Sequence, residues 1–134
     1  MPNLLPSLPE KYPLIVLRIL MGIIFISHSS ARFYYASIPD FGVFLNSQGF
    51  MIGLLLAWII TLGELISGSF LVLGFFIRYC VLFHATIITM GIIMVHLKQG
   101  WFVVGHGTGG VEYSLLILAV LAVLYSKANN IAKS

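Results

Sequence analysis

In 134 residues this chain carries 60% hydrophobic and only 8% charged residues, with a mean hydropathy of +1.06. A soluble domain holds about 25% charged residues, and one of 150 residues buries only about 70% of its unfolded surface; the composition excludes a water-soluble globule and makes lipid the solvent. The net charge of +3 comes from seven singly scattered basic residues, which form no patch for nucleic acid and serve instead as topology signals.

The N-terminal stretch MPNLLPSLPEKYP is proline-rich and lacks a basic region followed by a small-residue cleavage site. The first apolar segment is therefore expected to be retained rather than removed as a signal peptide. About 20 apolar residues cross a bilayer as a helix, and four segments qualify. The first runs from about Leu14 to Phe33, with Pro13 suited to a first turn. The second runs from Met51 to Leu73, closed by Gly74, and the third from Arg78 to Leu97. The fourth, Gly110 to Ser126, is the shortest. The expected fold is a single all-α domain over residues 1–134, an integral membrane four-helix bundle.

Two longer connections, Ser37–Gly49 and Lys98–Gly109, share one side of the membrane. The short turn near Gly74 and both termini share the other. Lys11, Arg18, Arg78, Lys127 and Lys133 fall on the terminal side, and only Arg32 and Lys98 on the loop side. Positive charge concentrates inside, so both termini of this multi-pass chain are expected in the cytoplasm, with the long loops outside. Arg18, one turn within the first helix, is long enough to snorkel to the surface. The single cysteine, Cys80, excludes an internal disulfide and a Cys-X-X-Cys pair on this chain.

Glu64 is the sole charge in the apolar run from Met51 to Ile77, about 27 residues. An ionisable side chain in hydrocarbon is costly and marks a functional candidate facing protein or a wet cavity. Steps of three and four from it reach Gly53, Ala57, Thr61, Ser67 and Gly68, a small-residue stripe that lets helices approach closely. Glu64 is thus expected to face the bundle near the midplane, paired or protonated. Helical rise places His28 in the outer half, roughly 11 Å above Glu64 along the membrane normal. His28 lies among Ser27, Ser29 and Ser30, a polar patch that a lipid-facing stripe would avoid. Arg32 follows one turn on, with Asp40 or Glu112 as candidate partners. His96 and Glu112 fall at the outer ends of the third and fourth segments.

Other residues read more plainly as structure. Lys98 and Trp101 suit interface anchoring. His84, with Cys80 one turn before it, supplies two of the three or four ligands a tetrahedral metal site needs, and reads as structural; no metal site is assigned. Met90 and Met94 suit packing gaps. The glycines of GHGTGG, Gly105–Gly110, read as turn punctuation. No H-E-x-x-H, P-loop or G-x-S-x-G pattern occurs.

These residues resemble the DoxX family of small four-helix membrane proteins over roughly Leu14 to Leu124. RILMGIIFISHSSAR, from Arg18, is similar to that family's run of arginine, glycine, aromatic and histidine ending in a basic residue. Ser29 and Arg32 stand where members often carry Gly and Lys. GELISGSFLVLGFFIR, from Gly63, resembles its Glu-x-x-Gly stretch followed by Leu-Gly and Arg, and VHLKQGWF and GGVEYSLLILA resemble its remaining signatures. The family takes its name from subunits of a membrane thiosulfate:quinone oxidoreductase. The resemblance implies His28, Glu64, His96 and Glu112 as site positions, and does not by itself assign thiosulfate oxidation to this chain.

Three functions compete. The first is a subunit of a quinone-linked redox system, with His28 and Glu64 catalytic and Arg32, His96, Glu112 and Tyr113 completing a ligand site. Histidine and carboxylate suit proton exchange with a quinone, and Phe25, Phe33, Tyr34, Tyr35, Trp58 and Tyr113 are available to hold its ring. No flavin, haem or iron–sulfur motif is visible, so a redox partner protein or a cofactor without a sequence signature would supply electrons. The second is a non-enzymatic assembly subunit, contacting a partner or forming a homo-oligomer. The third is a small proton-coupled transporter with Glu64 and the histidines as relay.

Overall fold

The computed structural model describes residues 8–132, and its regular structure is helical throughout. Helix α1 spans Lys11–Tyr34, α2 Ile38–Ser47, α3 Gly53–Leu73, α4 Ile77–Met94, α5 Glu112–Ser126 and α6 Ala128–Ile131, with a 3₁₀ turn at His96–Gln99. Helices α1, α3 and α4 are long and apolar enough to cross a membrane. Helix α5 is apolar but has 15 residues, about 22 Å of helix against a hydrocarbon thickness of about 30 Å. The four together form the expected membrane bundle. The reading of residues 1–7, and Lys133, lie outside the described residues.

Two differences from the expected boundaries matter for the site. The connection after α1 is a helix, because Pro39 is preorganised for a first turn and Ile38, Gly42 and Leu45 fall on one buried face. The third span stops at Met94 rather than Leu97, so His96 sits on a tight 3₁₀ turn and not on a membrane helix.

Glycine contacts set the layers. Gly22 of α1 lies against Gly68 of α3, where a Cβ on Gly22 would stand 2.7 Å from the Gly68 carbonyl oxygen. Gly42 of α2 lies against the start of α3, where a Cβ would stand 2.8 Å from the Leu54 Cα. Helices α1, α2 and α3 thus form one closely packed layer, while α4 and α5 pack on each other as the second. The layers are joined by a tight turn in which Gly74, at φ +83°, adopts the left-handed conformation and donates its N–H to the Phe70 carbonyl at 2.8 Å.

The main core lies toward the terminal end, where Leu14, Met21, Leu71, Val81, Leu121 and Leu124 pack together. Arg18 does not snorkel. It is 7% exposed and turns inward, donating to the carbonyls of Ile131 and, at 3.2 Å, Val72. Both carbonyls sit at helix C-termini, where a cation is favoured. That interaction outweighs the pull toward water and folds α6 back onto α1. Lys127 pairs with Glu10 at 2.5 Å, so the two termini occupy one end of the bundle. A second, smaller cluster of Ile38, Leu45 and Ala57, joined by Met94, closes the loop end.

Candidate functional site

Between the terminal-end core and the loop-end cluster, the two layers separate around a cavity of about 620 Å³. Its volume falls within the 300–1,000 Å³ of small-molecule sites. The stripe Leu82, Thr86, Met90 on α4 lines the cavity and is also exposed, so the cavity opens sideways along that helix.

The polar wall is built on α3. Gly53, Ala57, Thr61, Glu64 and Gly68 are all buried, as the small-residue stripe requires, and Ser67 is half-buried. Glu64 is 4% exposed and lines the cavity. Its Oε2 accepts from Arg32 Nη1 in an ion pair, so Arg32 pairs with neither Asp40 nor Glu112. The Arg32 guanidinium also lies 4.8 Å over the Phe41 ring, which fixes its plane beneath α2.

The Gly22–Gly68 contact sets the register of α1 against α3. From that contact His28 lies six residues toward the loop end and Glu64 four, a difference in level of roughly 3 Å. The roughly 11 Å expected from helix ends alone does not hold, because α1 continues past its partner's level before α2 begins. His28 lines the cavity, is exposed to it, and makes no hydrogen bond within the described residues. Ser29 beside it is buried, with its hydroxyl folded onto the Phe25 and Ile26 carbonyls.

His96 lines the cavity at the loop end. Its Nδ1 lies 2.6 Å from the Gly109 carbonyl oxygen. Gly109 has φ +72°, a conformation open to glycine. Here the GHGTGG segment is more than punctuation, because it presents that carbonyl.

His28, Arg32, Glu64 and His96 therefore share one cavity, whereas Glu112 and Tyr113 do not line it. The Glu112 carboxylate accepts the Val103 N–H at 2.8 Å, and its own N–H donates to the Trp101 carbonyl, so it braces the loop that carries Gly109. Tyr113 is 58% exposed. Of the aromatics singled out, Phe25 lines the cavity; Phe33, Tyr34, Tyr35 and Trp58 are exposed on the bundle surface. Phe41, Phe44, Phe50 and Phe83 line it instead. The first two came from a stretch read as loop, though Phe41 and Leu45 already stood at helical spacing.

His84 lies below the cavity floor and is fully buried. It stacks on Phe25 with ring centroids 3.5 Å apart, and its Nε2 lies 2.8 Å from Ser67 Oγ. The Ser67 hydroxyl donates to the Gly63 carbonyl at 2.5 Å, which leaves its oxygen to accept from His84 Nε2–H. Cys80 is buried with its thiol toward the Phe75 carbonyl.

No curated protein and no solved structure matches this chain. A family model does: the DoxX model matches residues 14–97, which include most of α1, all of α2 to α4, both cavity histidines and the Arg32–Glu64 pair. Helix α5 falls beyond that match. With most of its length covered in this way, the chain belongs to the DoxX family.

Proposed function

We propose that this chain is a multi-pass subunit of a quinone-linked redox system in a bacterial inner membrane, holding a quinone head in the cavity between its two layers. The carrying observation is a carboxylate–guanidinium pair set in the wall of a largely apolar cavity that opens sideways. Such a pair offers a polar end to an amphiphile whose tail stays in lipid. His28 and Glu64, close in level, are the groups suited to exchange protons with the bound head, and Arg32 orients the carboxylate. Phe41, Phe44, Phe50 and Phe83 supply the flat apolar walls. Electrons come from a partner protein. The basic-residue asymmetry supports termini in the cytoplasm and a cavity in the outer half.

The test is titration of a short-chain benzoquinone into the protein in lipid nanodiscs, with fold followed by circular dichroism. Binding is expected to weaken in His28→Ala and Glu64→Ala and to survive in His84→Ala, which alters a buried residue outside the cavity wall. No saturable binding to the folded wild type defeats the proposal. Equal sensitivity to His84→Ala points instead to a proton relay through the bundle. A C-terminal reporter active only on the outer side would overturn the orientation.

A further inference from the structure

Two acceptors in the cavity wall, one on His96 and one on Glu64, have no donor within the described residues. A carbonyl oxygen only accepts, so in neutral His96 the proton sits on Nδ1, toward Gly109, and Nε2 keeps its lone pair. Arg32 occupies Glu64 Oε2, and no donor within the described residues reaches Oε1, although the residue is more than nine-tenths buried. Both residues line the same cavity from opposite ends. Met94 packs against the cluster of Ile38, Leu45 and Ala57, and Ala57 lies seven residues above Glu64, so His96 stands roughly 10 Å above the carboxylate. Across that height run apolar and aromatic walls.

We infer that the site selects a ligand with hydroxyl donors at both ends of a flat ring, which is the reduced, quinol form. This rests on the reading of the cavity as a quinone site and deepens it. The para hydroxyls of a quinol point in opposite directions along the ring axis. One reaches down to Glu64 Oε1 and the other up to His96 Nε2. The oxidised form carries two carbonyls. These can accept from the remaining Arg32 N–H groups, as a quinol oxygen also can, but they give nothing to Glu64 Oε1 or His96 Nε2. Quinone binding therefore leaves two acceptors in a largely apolar cavity without the donors a quinol supplies, and such groups are costly to bury. Gly109 acts here as a positioning residue, because its carbonyl decides which imidazole nitrogen faces the ligand.

The test compares a short-chain benzoquinol with its quinone in anaerobic nanodiscs by calorimetry, alongside the ¹⁵N resonances of the His96 ring. The quinol is expected to bind at least about tenfold more tightly, equivalent to about 1.4 kcal/mol. His96→Phe removes one of the two acceptors and is expected to lower that preference by at least about threefold, and an unchanged preference overturns the inference. The ¹⁵N shifts are expected to show the proton on Nδ1. Quinone binding as tight as quinol, or a His96 proton on Nε2, overturns the inference and leaves the quinone site standing. Failure of both ligands to bind the folded protein defeats the site and the inference together.

Discussion

Replacing Arg32 by leucine isolates the contribution of the intramembrane ion pair. The substitution leaves Glu64 4% exposed with no cation against it. Removing one partner of a buried pair costs about 3–5 kcal/mol, whereas exposed pairs contribute about 0–1 kcal/mol. The Arg32 side chain is 20% exposed, so some solvent screening applies and the lower end is expected, about 3 kcal/mol. That corresponds to roughly a hundredfold shift in the folded-to-unfolded ratio. The double variant Arg32→Leu, Glu64→Leu removes both charges and their desolvation. Apolar replacement of a buried pair is often neutral or stabilising by about 1–4 kcal/mol, so the double variant is expected to recover most of the loss. The assay is unfolding of the purified protein in mixed micelles by increasing sodium dodecyl sulfate, followed by far-ultraviolet circular dichroism. A single-variant loss below about 1 kcal/mol would show the pair to be screened like a surface contact. A double variant worse than either single would refute the argument that the unpaired charge carries the cost.

Three further outcomes are expected from the same unfolding assay and from spectroscopy. Gly22→Ala places a Cβ 2.7 Å from the Gly68 carbonyl oxygen, and the overpacking is expected to cost about 1–3 kcal/mol; wild-type stability would show that α1 and α3 separate readily. Arg18→Leu leaves the Ile131 and Val72 carbonyls without their donor and is expected to cost about 1–3 kcal/mol, with faster proteolysis of the α6 segment as the second readout. Glu112→Gln keeps an oxygen to accept the Val103 N–H and is expected to preserve the His96 ring resonances. Glu112→Ala is expected to shift them, and identical spectra for the two variants would remove Glu112 from its bracing role.

The inward direction of Glu64 was legible because helical period alone puts it on the stripe from Gly53 to Gly68, and only small residues on that stripe permit close packing. Its partner was not legible. Which cation reaches Glu64 depends on how far α1 slides along α3, and that is decided by the Gly22–Gly68 contact between segments distant in sequence. Helix α2 is not legible in the sequence, because Pro39, Asp40 and Gly42 are also turn residues, and a ten-residue helix is too short to register as a span. The inward turn of Arg18 is not legible in the sequence, because the two helix ends that hold it exist only once the chain has folded. The membrane class and four-span plan were legible from composition and segment length; the cavity's Phe41 and Phe44 walls were not, since they ride on α2.

The width of the cavity also bears on its vacant state. At about 24 cal/mol per Å³, an empty void of 620 Å³ would cost about 15 kcal/mol, the upper end of what an entire domain has to spare. A bundle open along α4 to its surroundings escapes that penalty by letting acyl chains fill the space. Any ligand then enters by exchange with lipid, not by filling a vacuum. Its apparent affinity is a partition between two occupants, set as much by chain length, unsaturation and lateral pressure in the bilayer as by the side chains that greet it.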